Sequence, residues 1–358
     1  MKKAKTKMSF SHWSIAKFES FQWKHWGLYC ITLFLVGATI NIATQFSFPH
    51  FWAHQLLLIT ATTLLVSAMK SFFADVRMFG LESENKLLSK VTEVRGLYEK
   101  RLLPLLENRW TFLIAFIIAG FFFTCIVLLK YIELDVIGIY ALYIAGSSVL
   151  IGVYGYMQYL YFMWFIFQAG KCNFSHGSYN ILVPAETAWV AQLAKTSQRM
   201  RNYFLGIGLI YVIEYGMLIP TDKIEISKEA ISLNTPNNVA FIISWIALFV
   251  LVIVAFPVIN YIQHQLVVNL VNRLKRQTSG ELAEMMFEER KANSNPRERM
   301  ISIISYNMLI ENVRQSKSYP INRHLSYEAL MTVVTLVVHV LNLYSKISSI
   351  PQLIAALS

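Results

Sequence analysis

Cysteine, proline and acidic side chains are all scarce in this chain, with 3, 9 and 21 of them in 358 residues. Cys30, Cys125 and Cys172 are too few and too far apart for a disulfide framework or a thiolate zinc cluster. The 32 Lys and Arg outnumber the acids and leave a net charge of +11, but they form no concentrated basic stripe. That spread excludes nucleic acid as the partner the charge is meant for. Also missing are a nucleophile elbow, a metalloprotease helix and a glycine-rich phosphate loop. The sequence therefore predicts no enzyme and no cofactor.

Charge is nearly absent from six long stretches, Glu214 being the one exception, and this absence carries the most information. They run from Trp26 to Phe46, Phe51 to Met69, Trp110 to Leu129, Val136 to Gln168, Tyr203 to Ile219 and Val239 to Ile262. Lipid offers an unpaired backbone group no partner, so an apolar run of about 20 residues is expected to cross the bilayer as a helix. At 1.5 Å per residue the fourth run would reach nearly 50 Å, so it must tilt or project from the membrane. The expected fold is all-α: a polytopic membrane protein of six transmembrane helices with a small cytoplasmic helical domain.

What charge there is lies on one side. Lys and Arg number six in residues 1–25, eight in 70–109, four in 169–202 and eleven in 262–358; only Lys130, Lys223 and Lys228 fall elsewhere. Positive loops stay in the cytoplasm, which predicts both termini inside. The basic start Met1-Lys2-Lys3 resembles a signal peptide, but the apolar run that follows is too long and lacks a small-residue cleavage site. The composition suits a bacterial inner-membrane protein, with anionic lipid head groups as its first partner.

The domains expected are a basic cytoplasmic N-terminus (1–25), a six-span region (26–262) with amphipathic cytoplasmic segments at 70–109 and 169–202, and a cytoplasmic helical tail (263–358). In the first segment Leu87, Val91, Val94, Tyr98, Leu102 and Leu105 recur on one helical face, with Gly80 and Pro104 as punctuation. In the second, Trp189, Leu193 and Met200 share a face, and a Trp beside basic residues reads as a membrane-interface anchor. In the tail the sixth span continues to about Arg276 and stops at Thr278-Ser279-Gly280. Ser294-Asn295-Pro296 then starts a helix that offers Ile301, Ile304, Met308 and Val313 for burial. A last helix at 325–345 fits a buried bundle helix better than a seventh span.

Six residues of the fourth run, Gly138, Ala141, Ala145, Ser148, Gly152 and Gly155, make one face of small side chains. Such a face lets another helix approach closely, or leaves room for a conduit. The aromatic residues from Tyr154 to Phe167 read as an interface belt, with Gln158 able to bond across to a neighbour. Glu214 is the one acid well inside an expected crossing; Pro257, Asn260, Gln263 and His264 follow a kink that could form a gate. His50 and His54 are four apart, but two histidines without carboxylate or thiol support do not make a metal site.

Three functions fit. The leading expectation is an oligomeric channel or pore gated through its cytoplasmic helices, most simply a homo-oligomer. The second is a membrane anchor or receptor subunit that recruits a soluble cytoplasmic protein, for which an exposed apolar face on the tail would be the sign. The third is a secondary transporter using Glu214.

Overall fold

The computed structural model describes residues 22–43, 51–80, 91–128, 136–174, 179–218, 256–292 and 295–319, with the lone position 337. It is 90% helical with no strand among the described residues, so the chain is all-α. In order, the helices are α1 (Trp23–Ala43), α2 (Phe51–Gly80), α3 (Thr92–Leu97), a π turn (Tyr98–Leu102), α4 (Leu103–Leu106), α5 (Arg109–Leu128), α6 (Val136–Ala169), a 3-10 turn (Pro184–Glu186), α7 (Ala188–Leu218), α8 (Phe256–Ala292) and α9 (Pro296–Gln315).

Three of them are long and apolar enough to cross a membrane: Trp23–Ala43, Gln55–Phe79 and Gly138–Ala169. The bent pair Thr92–Leu106 and Arg109–Phe121 makes a fourth if counted as one span. That is fewer than the six expected, and the reasons are local. The fifth expected span is the second half of α7, whose first half carries Lys195, Arg199 and Arg201, so the helix as a whole is too polar. Most of the sixth lies outside the described residues, as does the segment 325–345 apart from position 337.

Helix ends follow ordinary chemistry. Asn108 starts α5 by accepting the Trp110 amide on its side chain (3.0 Å), at the 40° bend from α4. Asn295 caps α9 in the same way, accepting the Arg297 amide at 3.1 Å, with Pro296 in the first turn.

α2, α6 and α7 pack side by side along much of their length, and α8 packs against the ends of α6 and α7 nearest residues 169 and 188. A single large core forms at this end. Phe72 and Phe162 meet edge to face at 5.5 Å, Tyr98 meets Phe165 at 6.3 Å, and Leu193, Val267, Leu270 and Leu274 are fully buried among them. The stripe on 91–106 supplies one wall, with Val91, Val94, Tyr98 and Leu102 buried. Its last member is Leu106 rather than Leu105. The π turn inserts extra rotation just before Pro104, which has no amide hydrogen to give, and this moves the buried position on by one.

Three expectations are corrected here. Trp189 is 2% exposed and stacks on Phe174 at 5.7 Å, so it is a core residue and not an interface anchor. Half of the aromatic belt is core as well: Tyr154, Tyr159, Phe162 and Phe165 are buried, Tyr156, Tyr161 and Trp164 are half-buried, and Phe167 is exposed. The helix α8 does not stop at Thr278-Ser279-Gly280 but continues to Ala292. A lone glycine costs a helix only about 1 kcal/mol. Here Thr278 bonds back to the Leu274 carbonyl (2.9 Å), and Leu282 packs with Ile310 and Val313 of α9, which outweighs that cost.

Away from the core, α1 touches little, and α5 packs chiefly on α6. In α5, Thr111, Ala115 and Ala119 form a buried small-residue stripe toward α6, while Trp110, Phe112, Phe116, Ile117 and Phe121 stand exposed. In a bilayer those side chains meet acyl chains at no cost.

Candidate functional site

The tail hairpin is the best-defined candidate. α8 and α9 pack together, and Lys275 of α8 fixes the far end of α9. Its ammonium donates to the carbonyls of Arg314 (3.4 Å) and Ser316 and to the Ser318 hydroxyl (3.1 Å), so a cation meets the carbonyl end of α9. Burial pushes the Lys275 pKa down. At the other side of α8, Gln277 accepts the Phe174 amide at 3.1 Å and donates to its carbonyl, and Tyr179 donates to Glu281 at 3.0 Å. Burial, helped by that carboxylate, raises the Tyr179 pKa to about 12. The hairpin is thereby tied to the α6–α7 connection.

One side of α9, Ile310 and Val313, packs on α8 with Tyr306 and Leu309 beside it. The opposite side is bare. Met300 is 65% exposed, Ile301 57%, Ile304 50% and Met308 63%. Of the four tail residues expected to be buried, only Val313 is. α9 is apolar on two faces and α8 can cover only one.

The second cluster lies in the packed end. Asp75 of α2 is 2% exposed and accepts from three residues on one face of α7. The Arg199 guanidinium reaches its two carboxylate oxygens at 3.0 and 3.2 Å, the Thr196 hydroxyl at 2.9 Å and the Gln192 amide at 3.2 Å. Arg199 also donates to Ser71 at 2.7 Å. Every lone pair of a buried carboxylate is thus answered, which is the condition for an ion pair to be tolerated there. Sequence reading missed Asp75 because it falls beyond the second apolar run. The signal was present: a lone acid between Phe73 and Val76, in a stretch otherwise free of acids.

The small-residue face of α6 is occupied within the chain. A methyl on Gly155 would come within 2.8 Å of the Met69 sulfur, and one on Gly152 within 3.5 Å of Leu65. Ser148 is buried and shares a hydrogen bond with the Tyr211 hydroxyl of α7. Gly138 is buried too, with Ala141 and Ala145 half-buried. These residues bring α2 and α7 close to α6. Gln158 bonds across to the Leu106 carbonyl at 3.2 Å.

The residues proposed for a gate are not brought together as a set. Gln263 is fully buried, with neither amide atom hydrogen-bonded among the described residues, and the His264 ring stacks on Tyr319 at 4.7 Å. Pro257 stands in the first turn of α8, and the helix that it was expected to kink precedes the described residues. The side chains of Glu214 and Asn260, like that of His54 and all of His50, also lie outside them. Among the described residues no three His, Cys, Asp or Glu cluster as metal ligands.

No protein-family model matches this chain, and no curated protein or solved structure matches it.

Proposed function

We propose that this protein is a membrane-embedded anchor whose tail hairpin docks a soluble protein on the bare face of α9. The exposure of Met300, Ile301, Ile304 and Met308, opposite a face already satisfied by α8, is the observation that carries this reading. An apolar face of this kind on one helix is how a groove-bearing partner is engaged. The hairpin is braced by Lys275, Gln277 and Tyr179, so a docked partner would be held in a fixed relation to the spans. On this reading the packed end and the tail face the cytoplasm, an orientation that the Lys and Arg excess supports.

The channel reading drew on the small-residue face of α6, and the part of that face from Ser148 to Gly155 packs against α2 and α7. What still favours it is the unpaired buried amide of Gln263.

A photoreactive amino acid at Ile304 in the full-length protein, illuminated in living cells, tests the docking reading. The expected result is a discrete adduct heavier by one protein, lost when Met300 and Met308 are both changed to Asp. Adducts with lipid alone would overturn it. Ion flux through liposomes of the purified protein, abolished by Gln263→Leu, would put the channel first instead.

A further inference from the structure

The bare face of α9 has a repeat and two charged ends. Arg297, Ile301, Ile304, Met308, Glu311 and Gln315 follow at spacings of 4, 3, 4, 3 and 4, and all six are exposed. A face that recurs every 3.5 residues is a seam for another helix, which lies along it and seats its side chains between these. The seam is apolar in the middle, with a cation at the Pro296 end and a carboxylate toward Ser316. The Arg297 side chain has no partner among the described residues, and Glu311 accepts only the Gln315 amide there, at 2.8 Å.

Position narrows the occupant. A Cβ on Gly170, just past α6, would lie 3.9 Å from the Leu270 Cα, and Phe174 bonds to Gln277, so α8 runs on in the direction of α6. α9 runs back along α8, since Lys275 meets Ser316 and Glu289 accepts the Ser302 hydroxyl at 3.3 Å. Ile304 thus stands about 25 Å beyond the end of α6, out of reach of acyl chains. Two copies in one bilayer would set their α9 helices side by side in parallel, Arg297 on Arg297 and Glu311 on Glu311. Like charges so placed repel.

We infer that the soluble partner meets α9 through a helix of its own, which forms the wall of its groove. That helix carries an apolar stripe of the same repeat, an acidic side chain placed against Arg297 and a basic one placed against Glu311. With α8 and α9 it completes a row of three packed helices, and the two charges fix its direction. The inference rests on the docking reading and adds to it the partner's chemistry.

The test uses the full-length protein with the photoreactive residue at Ile304, in living cells, and reads the yield of the adduct heavier by one protein. Arg297→Glu and Glu311→Arg should each lower that yield about tenfold, and both together further, because each turns an attraction into a repulsion. Lys317→Glu, just past α9 and off the seam, should leave the yield unaltered; an equal loss there would reduce the effect to net charge and overturn the inference. The photoreactive residue moved to Ile301 or Met308 should give the same adduct, and at Ser305, exposed but off the seam, little. Equal yields at all four positions would overturn the partner helix. A yield indifferent to both charge reversals would overturn the charge match and leave docking in place, whereas no protein adduct at all would remove the docking reading itself. An adduct of twice the chain's own mass would overturn the soluble partner in favour of a second copy.

Discussion

The two ends of the helical bundle are built on different terms. At the end near Gly80, Ala169 and Ala188, side chains from α2, the 91–106 segment, α6, α7 and α8 converge, and large aromatics such as Phe72, Phe162 and Trp189 are sealed off. At the other, α1 has 6% of its apolar window buried, and α5 turns most of its aromatics outward. Both ends carry apolar helix faces, and α1 and α5 are on average more apolar than α7 and α8. The difference teaches that apolarity here has two partners, protein at one end and lipid at the other. What holds the sparse end is polar and local: Gln55 donates to the Leu33 and Phe34 carbonyls, each at 3.1 Å, and Tyr140 donates to Leu33. In lipid such bonds act as the glue between helices.

The contrast can be broken most sharply with a pair of identical substitutions. Phe162→Ala at the packed end should cost about 4 kcal/mol, because it opens a cavity among Phe72, Phe79 and Phe165. Phe116→Ala, on the exposed side of α5, should stay within about 0.5 kcal/mol. Unfolding of the purified protein in mild detergent measures both; similar losses would mean that the packed end is not a true core.

A smaller effect tests the charge network inside that core. Asp75→Ala should cost about 3 kcal/mol by leaving Arg199 without its carboxylate, less than a fully buried pair would lose because the Arg199 side chain is 35% exposed. The double variant with Arg199→Ala should cost less than the two singles together, and simple additivity would show that the pair is not coupled.

The smallest effect concerns pH and the brace to the tail. Tyr179 holds its proton up to about 12, whereas in the unfolded chain a tyrosine releases it near 10. Between those values the folded state binds more protons, so its contribution to stability is whole below pH 10 and fades as pH rises toward 12. Tyr179→Phe should therefore flatten the alkaline loss of stability over that window. An unchanged slope would remove Tyr179 from the account.

Reading residues in order recovers the helices better than it recovers their surroundings. The start of α9 was legible because Asn295 and Pro296 act within one turn. The stripe from Val91 to Leu102 was legible because one helix face repeats every three or four residues. The Asp75–Arg199 pair was not, since its members are 124 residues apart and meet only when α2 and α7 lie together. Trp189 was misplaced for a related reason. A tryptophan beside Lys and Arg looks the same whether the ring meets head groups or Phe174.

By itself, then, the sequence determined where helices form and which stretches lipid can tolerate, because backbone satisfaction and hydrophobic run length are local properties of the chain. Only the tertiary structure decided which apolar faces meet protein and which stay bare, as with Val313 and Ile304 on opposite sides of α9. Burial is a relation between segments, and a side chain carries no record of its neighbour until the helices pack.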